Sequence, residues 1–289
     1  MKILVTGSAG FIGRHLISRL NYGNEIFAVV RDTRQPVLTD SARIIVMDLA
    51  CTLDASALPA EIDIIIHLAQ GNAPFPEGAN ELMAVNTSAT QQLLDYGRRG
   101  GARQFILAST GDVYGPHSGL SKETDMIAPP SYYAITKYAS ELLVQSYSSH
   151  LLPCVLRFFH PYGPGQSGRL IPKLAERIRQ QEAVRLHKDD RPGVTPIYID
   201  DVTHAIHRAI DCASSGTINI AGERALNMRE LAEEIGRAIE RQPVFEETGE
   251  EAGDLMGDNN LMKEVLGSWN MVSVGEGLVR TFKREEANS

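Results

Sequence analysis

The segment Thr6-Gly7-Ser8-Ala9-Gly10-Phe11-Ile12-Gly13 sets the narrowest limit on what this chain can fold into. It directly follows an apolar run, Lys2–Thr6, that reads as a strand. It directly precedes Phe11–Leu20, whose apolar residues recur at three- and four-residue spacing as in a helix. In a strand–turn–helix, Gly7 permits the tight turn, Gly10 lets the backbone approach a pyrophosphate, and Gly13 lets the helix pack closely on the strand. The anion then rests on the exposed amides of the helix N-terminus, those of Phe11 and Ile12 among them. A glycine spacing alone is weak evidence for a dinucleotide site. The flanking elements supply the context that the mechanism requires.

Further short runs rich in Ile and Val follow at Glu25–Val30, Arg43–Met47, Ile62–Ala69 and Gln104–Ala108, with helical patterns at Leu82–Tyr96 and Tyr132–Ser148 between or after them. Continuous apolar runs that alternate with helices predict an α/β fold, a doubly wound parallel sheet whose strands are buried on both faces. Cys154–Phe159 reads as another strand, and His160–Pro172 is rich in Pro and Gly, as loops are. Beyond it the sequence predicts a helix at Ile171–Gln181, strands at Ala183–His187, Ile197–Ile199 and Thr217–Ile220, and helices at Asp200–Cys212 and Asn227–Glu240, the last capped by Asn227. The expected division is a dinucleotide-binding part, 1–160, and a smaller C-terminal α/β substrate lobe, 161–289, with about 197–220 returning to the main sheet. The polar end from Arg284 is expected to fray.

The net charge of −8 carries no clustered basic face, so a nucleic-acid partner is not expected. Three widely spaced cysteines, Cys51, Cys154 and Cys212, suggest neither a disulfide framework nor a metal site, and a reducing cytoplasm suits them. No apolar run approaches the ~20 residues that span a bilayer, so no membrane role is expected.

Tyr133 and Lys137 stand four apart at the start of a predicted helix, one turn apart on one face. Thr110 follows the fifth strand within Ser109-Thr110-Gly111-Asp112-Val113-Tyr114-Gly115. A phenol, with an ordinary pKa of about 10, is a poor base at neutral pH. A neighbouring ammonium favours the phenolate and brings it into the working range, and the Thr110 hydroxyl can orient a substrate oxygen.

Glycine turn, Ser-Thr-x-x-Val-Tyr-Gly segment and Tyr-x-x-x-Lys, in this order, resemble the extended short-chain dehydrogenase/reductase family of sugar-nucleotide epimerases, dehydratases and ketoreductases. The resemblance continues through Arg157-Phe158-Phe159-His160-Pro161-Tyr162-Gly163-Pro164-Gly165, Ile197-Tyr198-Ile199-Asp200-Asp201-Val202 and Gly275-Glu276-Gly277-Leu278. It implies a Rossmann sheet, hydride transfer at a secondary alcohol or ketone, and Thr110, Tyr133 and Lys137 as the triad. It also implies cofactor contacts at Asp48 and Leu49, at Leu68 and Ala69 beside His67, and at Phe159, besides Tyr133 and Lys137 themselves. Asn86 holds the family's expected position in the following helix, and a homodimer through the helices of Leu82–Tyr96 and Tyr133–Ser148 is implied. His67 reads as a satisfied strand-end histidine.

Arg31 ends the second strand, with Asp32 next and Arg34 close by. Arg there suits a 2′-phosphate and Asp a 2′-hydroxyl, so the balance is read toward NADP(H) over NAD(H). Gly111-Asp112 follows Thr110 where dehydratases of this family carry Asp-Glu, which argues against dehydration. His160 stands where many members carry Asn beside the substrate phosphates. The family's diphosphate-clamping Arg aligns with Val194 or Thr195, leaving Arg191 as the substitute, with Arg169, Lys173 and Lys188 as other candidates. The expected substrate is a small molecule, a sugar nucleotide or a relative of one. The first expectation is reduction of a nucleotide-linked 4-keto sugar. The alternatives are a 4-epimerase with tightly held NAD and, behind it, a non-catalytic nucleotide-binding sensor.

Overall fold

The computed structural model of this chain describes residues 1–20, 23–32 and 42–286. In chain order the first elements are β1 (Lys2–Thr6), α1 (Phe11–Leu20), β2 (Glu25–Val30), β3 (Ala42–Val46), β4 (Ile64–His67), α2 (Ala79–Leu82), a π-helical turn (Met83–Ser88), α3 (Ala89–Arg99), β5 (Gln104–Thr110), β6 (Leu120–Ser121), α4 (Tyr132–Ser146) and β7 (Leu152–Phe158). Then come β8 (Pro161–Tyr162), α5 (Leu170–Arg179), β9 (Val184–Leu186), β10 (Ile197–Tyr198), α6 (Ile199–Asp211), β11 (Gly216–Ile220), α7 (Met228–Ala238), β12 (Phe245–Glu247), β13 (Met256–Gly257), α8 (Asn260–Leu266) and α9 (Val274–Glu286). α9 thus carries the backbone past the expected fraying point at Arg284; residues 287–289 lie outside the described residues, as does Arg34.

The seven-stranded sheet runs β11-β7-β5-β4-β1-β2-β3, the Rossmann-type α/β architecture the alternation of elements predicts. β1 pairs in parallel with β2 and β4, β2 with β3, and β4 with β5. The order turns back between β1 and β4. In open α/β sheets the crevice at the carboxyl ends beside such a switch point is where ligands bind. The ends that meet there are Thr6-Gly7 and His67-Leu68-Ala69. Central strands are buried on both faces, as their apolar runs require, but β3 departs from that expectation. It is the sheet edge, and Ile44 and Val46 are each 53% exposed.

The chain divides into two compact units. The first comprises Met1–Val113, Ala128–Arg157 and Thr203–Ile218. Its core gathers Leu4, Phe27, Val29, Ile65, Leu93, Leu94, Phe105, Leu107, Val144 and Val155. Gln104 Nε2 donates to the carbonyls of Ala209 (2.9 Å) and Ser214 (3.0 Å), fastening the end of α6 to β5.

The second unit comprises Tyr114–Ile127, Phe158–Val202 and the chain from Asn219 onward. β8 pairs with β10, β9 with β12 and β6 with β13, all in parallel. The apolar faces of α5 and α9 pack on α7. Asn227 caps α7 in a reciprocal box with Glu230, at 2.8 and 2.9 Å, which satisfies two otherwise orphaned donors. Asp201, buried, accepts from Trp269 Nε1 (2.9 Å) and Val272 N (3.0 Å), anchoring the approach to α9. Among the described residues no helix is long and apolar enough to cross a membrane, and no His, Cys, Asp or Glu cluster has the makings of a metal site.

Candidate active site

The glycine turn closes as its sequence predicts. Gly7 adopts φ +66°, and a Cβ there would lie 2.7 Å from Ala69 N. A Cβ on Gly13 would lie 2.3 Å from the Gly7 carbonyl oxygen, so helix and strand approach more closely than any side chain allows. Gly10 is exposed, and Gly10 N donates to Gly7 O (2.9 Å) to complete the turn. The first amides of α1 lack intrahelical acceptors, as at every helix start. A turn this tight, with helix amides facing outward, fits the pyrophosphate of a dinucleotide.

At the end of β4, Thr6 Oγ1 and His67 Nδ1 are 2.6 Å apart, and Ala69 N donates to the same hydroxyl (3.3 Å). His67 is fully buried, and burial pushes its pKa down to about 3, with Lys137 adding to the effect. Nδ1 is satisfied but Nε2 has no hydrogen-bond partner, so the ring is less fully satisfied than the sequence suggests. The unfolded imidazole titrates near 6.5, so below that pH the unfolded chain binds a proton that the folded one refuses. Stability from this site is present above pH 6.5 and lost as the pH falls toward 3, by up to about 1.4 kcal/mol per unit. Urea unfolding at pH 7.5, 6.5 and 5.5 is expected to show that loss, and His67→Asn is expected to flatten the slope by close to one proton. Equal slopes would remove His67 as the cause.

Tyr133 and Lys137 lie on the first two turns of α4, whose N-terminus is capped by Ser131 accepting from Ala134 N (3.2 Å). Tyr133 Oη donates to Gln70 Oε1 at 2.8 Å. Gln70 immediately follows Ala69, and Ala69 N is the atom a Cβ on Gly7 would strike, so the phenol and the glycine turn share one crevice of the first unit. Lys137 is buried, and its Nζ donates to Ala108 O at 2.5 Å. Burial pushes its pKa down to about 8, with the Glu141 carboxylate opposing. Thr110, two residues beyond Ala108 at the end of β5, accepts from Asp112 N at 3.1 Å.

Two supports stand behind the triad, of which sequence reasoning singled out Asn86 and missed Glu141. Glu141, one turn beyond Lys137 and fully buried, accepts from Arg157 Nε (3.1 and 3.2 Å) and Arg157 Nη2 (2.6 Å), and the Ser109 hydroxyl donates to it. Ala108 and Ser109 of β5 are therefore both tied to α4, which fixes Thr110 against the helix of Tyr133 and Lys137. The second support interrupts the expected helix Leu82–Tyr96. Asn86, buried in the π-helical turn, accepts from Gly71 N (2.9 Å), donates to Thr136 Oγ1 (2.9 Å), and takes the Ser140 hydroxyl on its carbonyl (2.5 Å). A π-turn leaves such carbonyls free for side chains, and these turns gather at functional sites.

Of the other expected residues of the first unit, Phe11, Ile12, Leu68 and Ala69 are half-buried around the glycine turn, Leu49 is buried, and Asp48 is exposed with its carboxylate on Ala50 N (3.0 Å). In the second unit Phe159 is buried and stacks on Tyr114, centroids 6.1 Å apart. His160 holds φ +45°, its Nδ1 enclosed without a partner, and burial pushes its pKa down to about 4. Arg191 is half-buried, pairing with Asp254 (3.3 Å) and donating to Ser118 Oγ (3.2 Å). Lys188 pairs with Glu251 at 2.8 Å, and Arg169 and Lys173 are exposed. Thr195, at the place of the missing clamp, is buried and accepts from Gly257 N (2.9 Å).

Residues 3–221 match the NAD dependent epimerase/dehydratase family. The chain belongs to that family. Its similarity to Bacillus subtilis YtcB, named an uncharacterized UDP-glucose epimerase, is 29% identity over 307 residues, 96% of each chain. Among solved structures, MoeE5 in complex with UDP-glucuronic acid and NAD superposes with a TM-score of 0.87 at 28% identity over the whole of both chains. The Bacillus cereus UDP-glucuronic acid 4-epimerase in complex with NAD does so at 0.86 and 25% identity, over 98% of this chain and 96% of its own. These relatives overturn the expectation of NADP(H), because the family members aligned along the full sheet hold NAD. The physical reason is visible at β2. Arg31 is exposed, a solvated cation rather than an enclosed phosphate clamp, and half-buried Asp32 follows it.

Proposed function

We propose that this family member is an NAD-dependent epimerase that inverts one carbinol carbon of a UDP-linked hexose or hexuronic acid through a transient ketone. The observation that carries this reading is the hydrogen bond from Tyr133 to Gln70, which stands beside Ala69 and the glycine turn. It supports a role for a phenol, with a buried ammonium one turn away, beside the glycine turn. Reduction of a keto sugar, the first expectation from sequence, leaned on Arg31 and on the absent dehydratase acid, and it loses the first of these supports with NADP(H). The names of the relatives, which include epimerases acting on UDP sugars, support the alternative.

In this reading the glycine turn and the α1 amides would hold the pyrophosphate of NAD, and Asp32 would accept from the adenosine ribose. The dinucleotide, when bound, supplies a reversible two-electron exchange at the carbinol carbon. Tyr133 takes the hydroxyl proton and later returns it to the ketone oxygen. The Lys137 ammonium stabilises the phenolate, and Thr110 steadies the reacting oxygen. Because Lys137 titrates near pH 8, the ammonium is present at neutral pH and is lost above it. His160 and Arg191 are the proposed substrate contacts, though Arg191 must share its charge with Asp254.

A cofactor used and restored within each turnover has no need to leave. Protein purified without added nucleotide and then denatured is expected to release stoichiometric NAD(H), read by mass spectrometry. Release of NADP(H), or of nothing with weak NAD binding, would contradict the reading. We also propose a homodimer through α2, the π-turn, α3 and α4, where Met83, Ile135 and Leu142 are 40%, 51% and 49% exposed. Light scattering at micromolar concentration is expected to give twice the 31.6 kDa chain mass, and a monomer would sink the proposal.

A further inference from the structure

The phenol of Tyr133 has a partner that is neither substrate nor lysine. Its Oη lies 2.8 Å from Gln70 Oε1, with the O–H donating. The amide is oriented by its other end, for Gln70 Nε2 donates to Asn72 Oδ1 (3.2 Å), which turns the carbonyl toward Tyr133. Gln70 is attached to the end of β4 through Ala69, whose amide bonds to Thr6 Oγ1 (3.3 Å). The acceptor thus follows directly on the end of β4, one residue beyond the amide that Thr6 holds.

We propose that Gln70 is a positioning residue whose carbonyl holds the proton-bearing hydroxyl of Tyr133 while the ketone intermediate turns over between the two half-reactions. This rests on the epimerase reading. After the first half-reaction the proton taken from the sugar hydroxyl resides on Tyr133 Oη. The ketone must then present its opposite face, so the Tyr133–ketone hydrogen bond has to break before it re-forms. A half-buried phenol O–H released without an acceptor carries a desolvation penalty. Gln70 Oε1 removes that penalty by accepting the hydrogen bond that the ketone gives up. No covalent bond to Gln70 forms, no electron moves through it, and the same proton returns to the sugar oxygen in the second half-reaction. A reductase, which delivers its proton once and releases its product, has no step that calls for this acceptor.

A hydrogen bond accepted from the neutral phenol disfavours the phenolate, so its removal must ease ionisation of Tyr133. The experiment compares the protein with Gln70→Leu, which keeps the bulk without the acceptor, and with Gln70→Glu, which keeps an acceptor and adds negative charge. Tyrosinate absorbance is titrated in the substrate-free NAD-loaded protein, with Tyr133→Phe subtracted. Gln70→Leu is expected to ionise Tyr133 at lower pH than the parent protein and Gln70→Glu at higher pH; an unchanged or raised value in Gln70→Leu overturns the acceptor role. This readout needs no turnover, so it stands apart from any failure of the epimerase reading. With a UDP sugar, rapid-mixing absorbance follows the first half-reaction and NMR follows the complete inversion. Gln70→Leu is expected to slow inversion about tenfold, with the first half-reaction and KM nearly unchanged, in line with the cost of one unmade hydrogen bond. Equal losses in both rates would mean a general structural defect and would overturn the proposal.

Discussion

Tyr133→Phe is expected to lower kcat by roughly a thousandfold while leaving NAD retention and thermal stability close to those of the parent protein. The size follows from the share that a positioned acid–base group contributes, about 10²–10⁴ in rate. The selectivity follows from the geometry. The ring of Tyr133 is half-buried on the first turn of α4, and Phe keeps that ring and the Ser131 cap beneath it. Only the hydroxyl disappears, and with it the bond to Gln70. A binding protein that merely kept the fold would show neither activity nor a loss, so an active parent and an inactive variant that still binds NAD separate the proposed enzyme from the sensor. Retention of more than a tenth of the parent kcat would remove Tyr133 from the chemistry.

The second large effect is expected at the ion pair behind the triad. Glu141 and Arg157 are 0% and 3% exposed, and each is the other's charge partner. Glu141→Ala takes from the buried Arg157 guanidinium the carboxylate it pairs with, a defect worth about 3–5 kcal/mol. Urea unfolding is expected to show a loss of that size. Glu141→Met combined with Arg157→Met removes both charges together, which buried pairs often tolerate with little change in stability. The double variant is therefore expected to recover most of the stability but not the rate. Lys137 loses the carboxylate that opposes its desolvation, and Ser109 loses its acceptor beside Thr110. With its pKa pushed further down from about 8, the ammonium is lost at lower pH, so the basic limb of the kcat profile is expected to move toward acid. Full recovery of kcat together with stability would show that the pair serves the fold alone.

What could be read from the sequence was local. The apolar runs and helical spacing located the central strands and set α1 at Phe11–Leu20 as observed. Asn227 announced its capping role three residues ahead of Glu230. The glycine turn was legible because its mechanism is contained in eight consecutive residues. Features that arise when distant segments meet were not legible. Gln70 and Tyr133 are 63 positions apart, and nothing in an amide after a strand announces that a phenol will rest on it. Glu141 sits at a helical spacing that looks like any exposed charge, and only the approach of β7 with Arg157 makes it a buried pair. The π-turn at Met83–Ser88 kept the apolar periodicity well enough to pass for ordinary helix, while Asn86 widened it to reach Gly71 and Thr136. Arg31 misled for the same reason. A charge at a strand end says which anion it suits only if the fold encloses it, and here the side chain is exposed.

The measurement that bears most directly on the proposed reaction is turnover of UDP-glucose and UDP-glucuronic acid in D₂O, with purified protein and no added cofactor, followed by proton NMR. An epimerase that keeps its NAD through the turnover would draw no hydrogen from solvent at the inverted carbon. The predicted result is a second UDP sugar, inverted at one carbinol, approaching equilibrium with the first and carrying no deuterium on carbon. A 4-keto hexuronic acid is a β-keto acid, so a site that released carbon dioxide instead would yield a UDP-pentose. That product, deuterium at the inverted carbon, or turnover that begins only when reduced nicotinamide is supplied would contradict the reading.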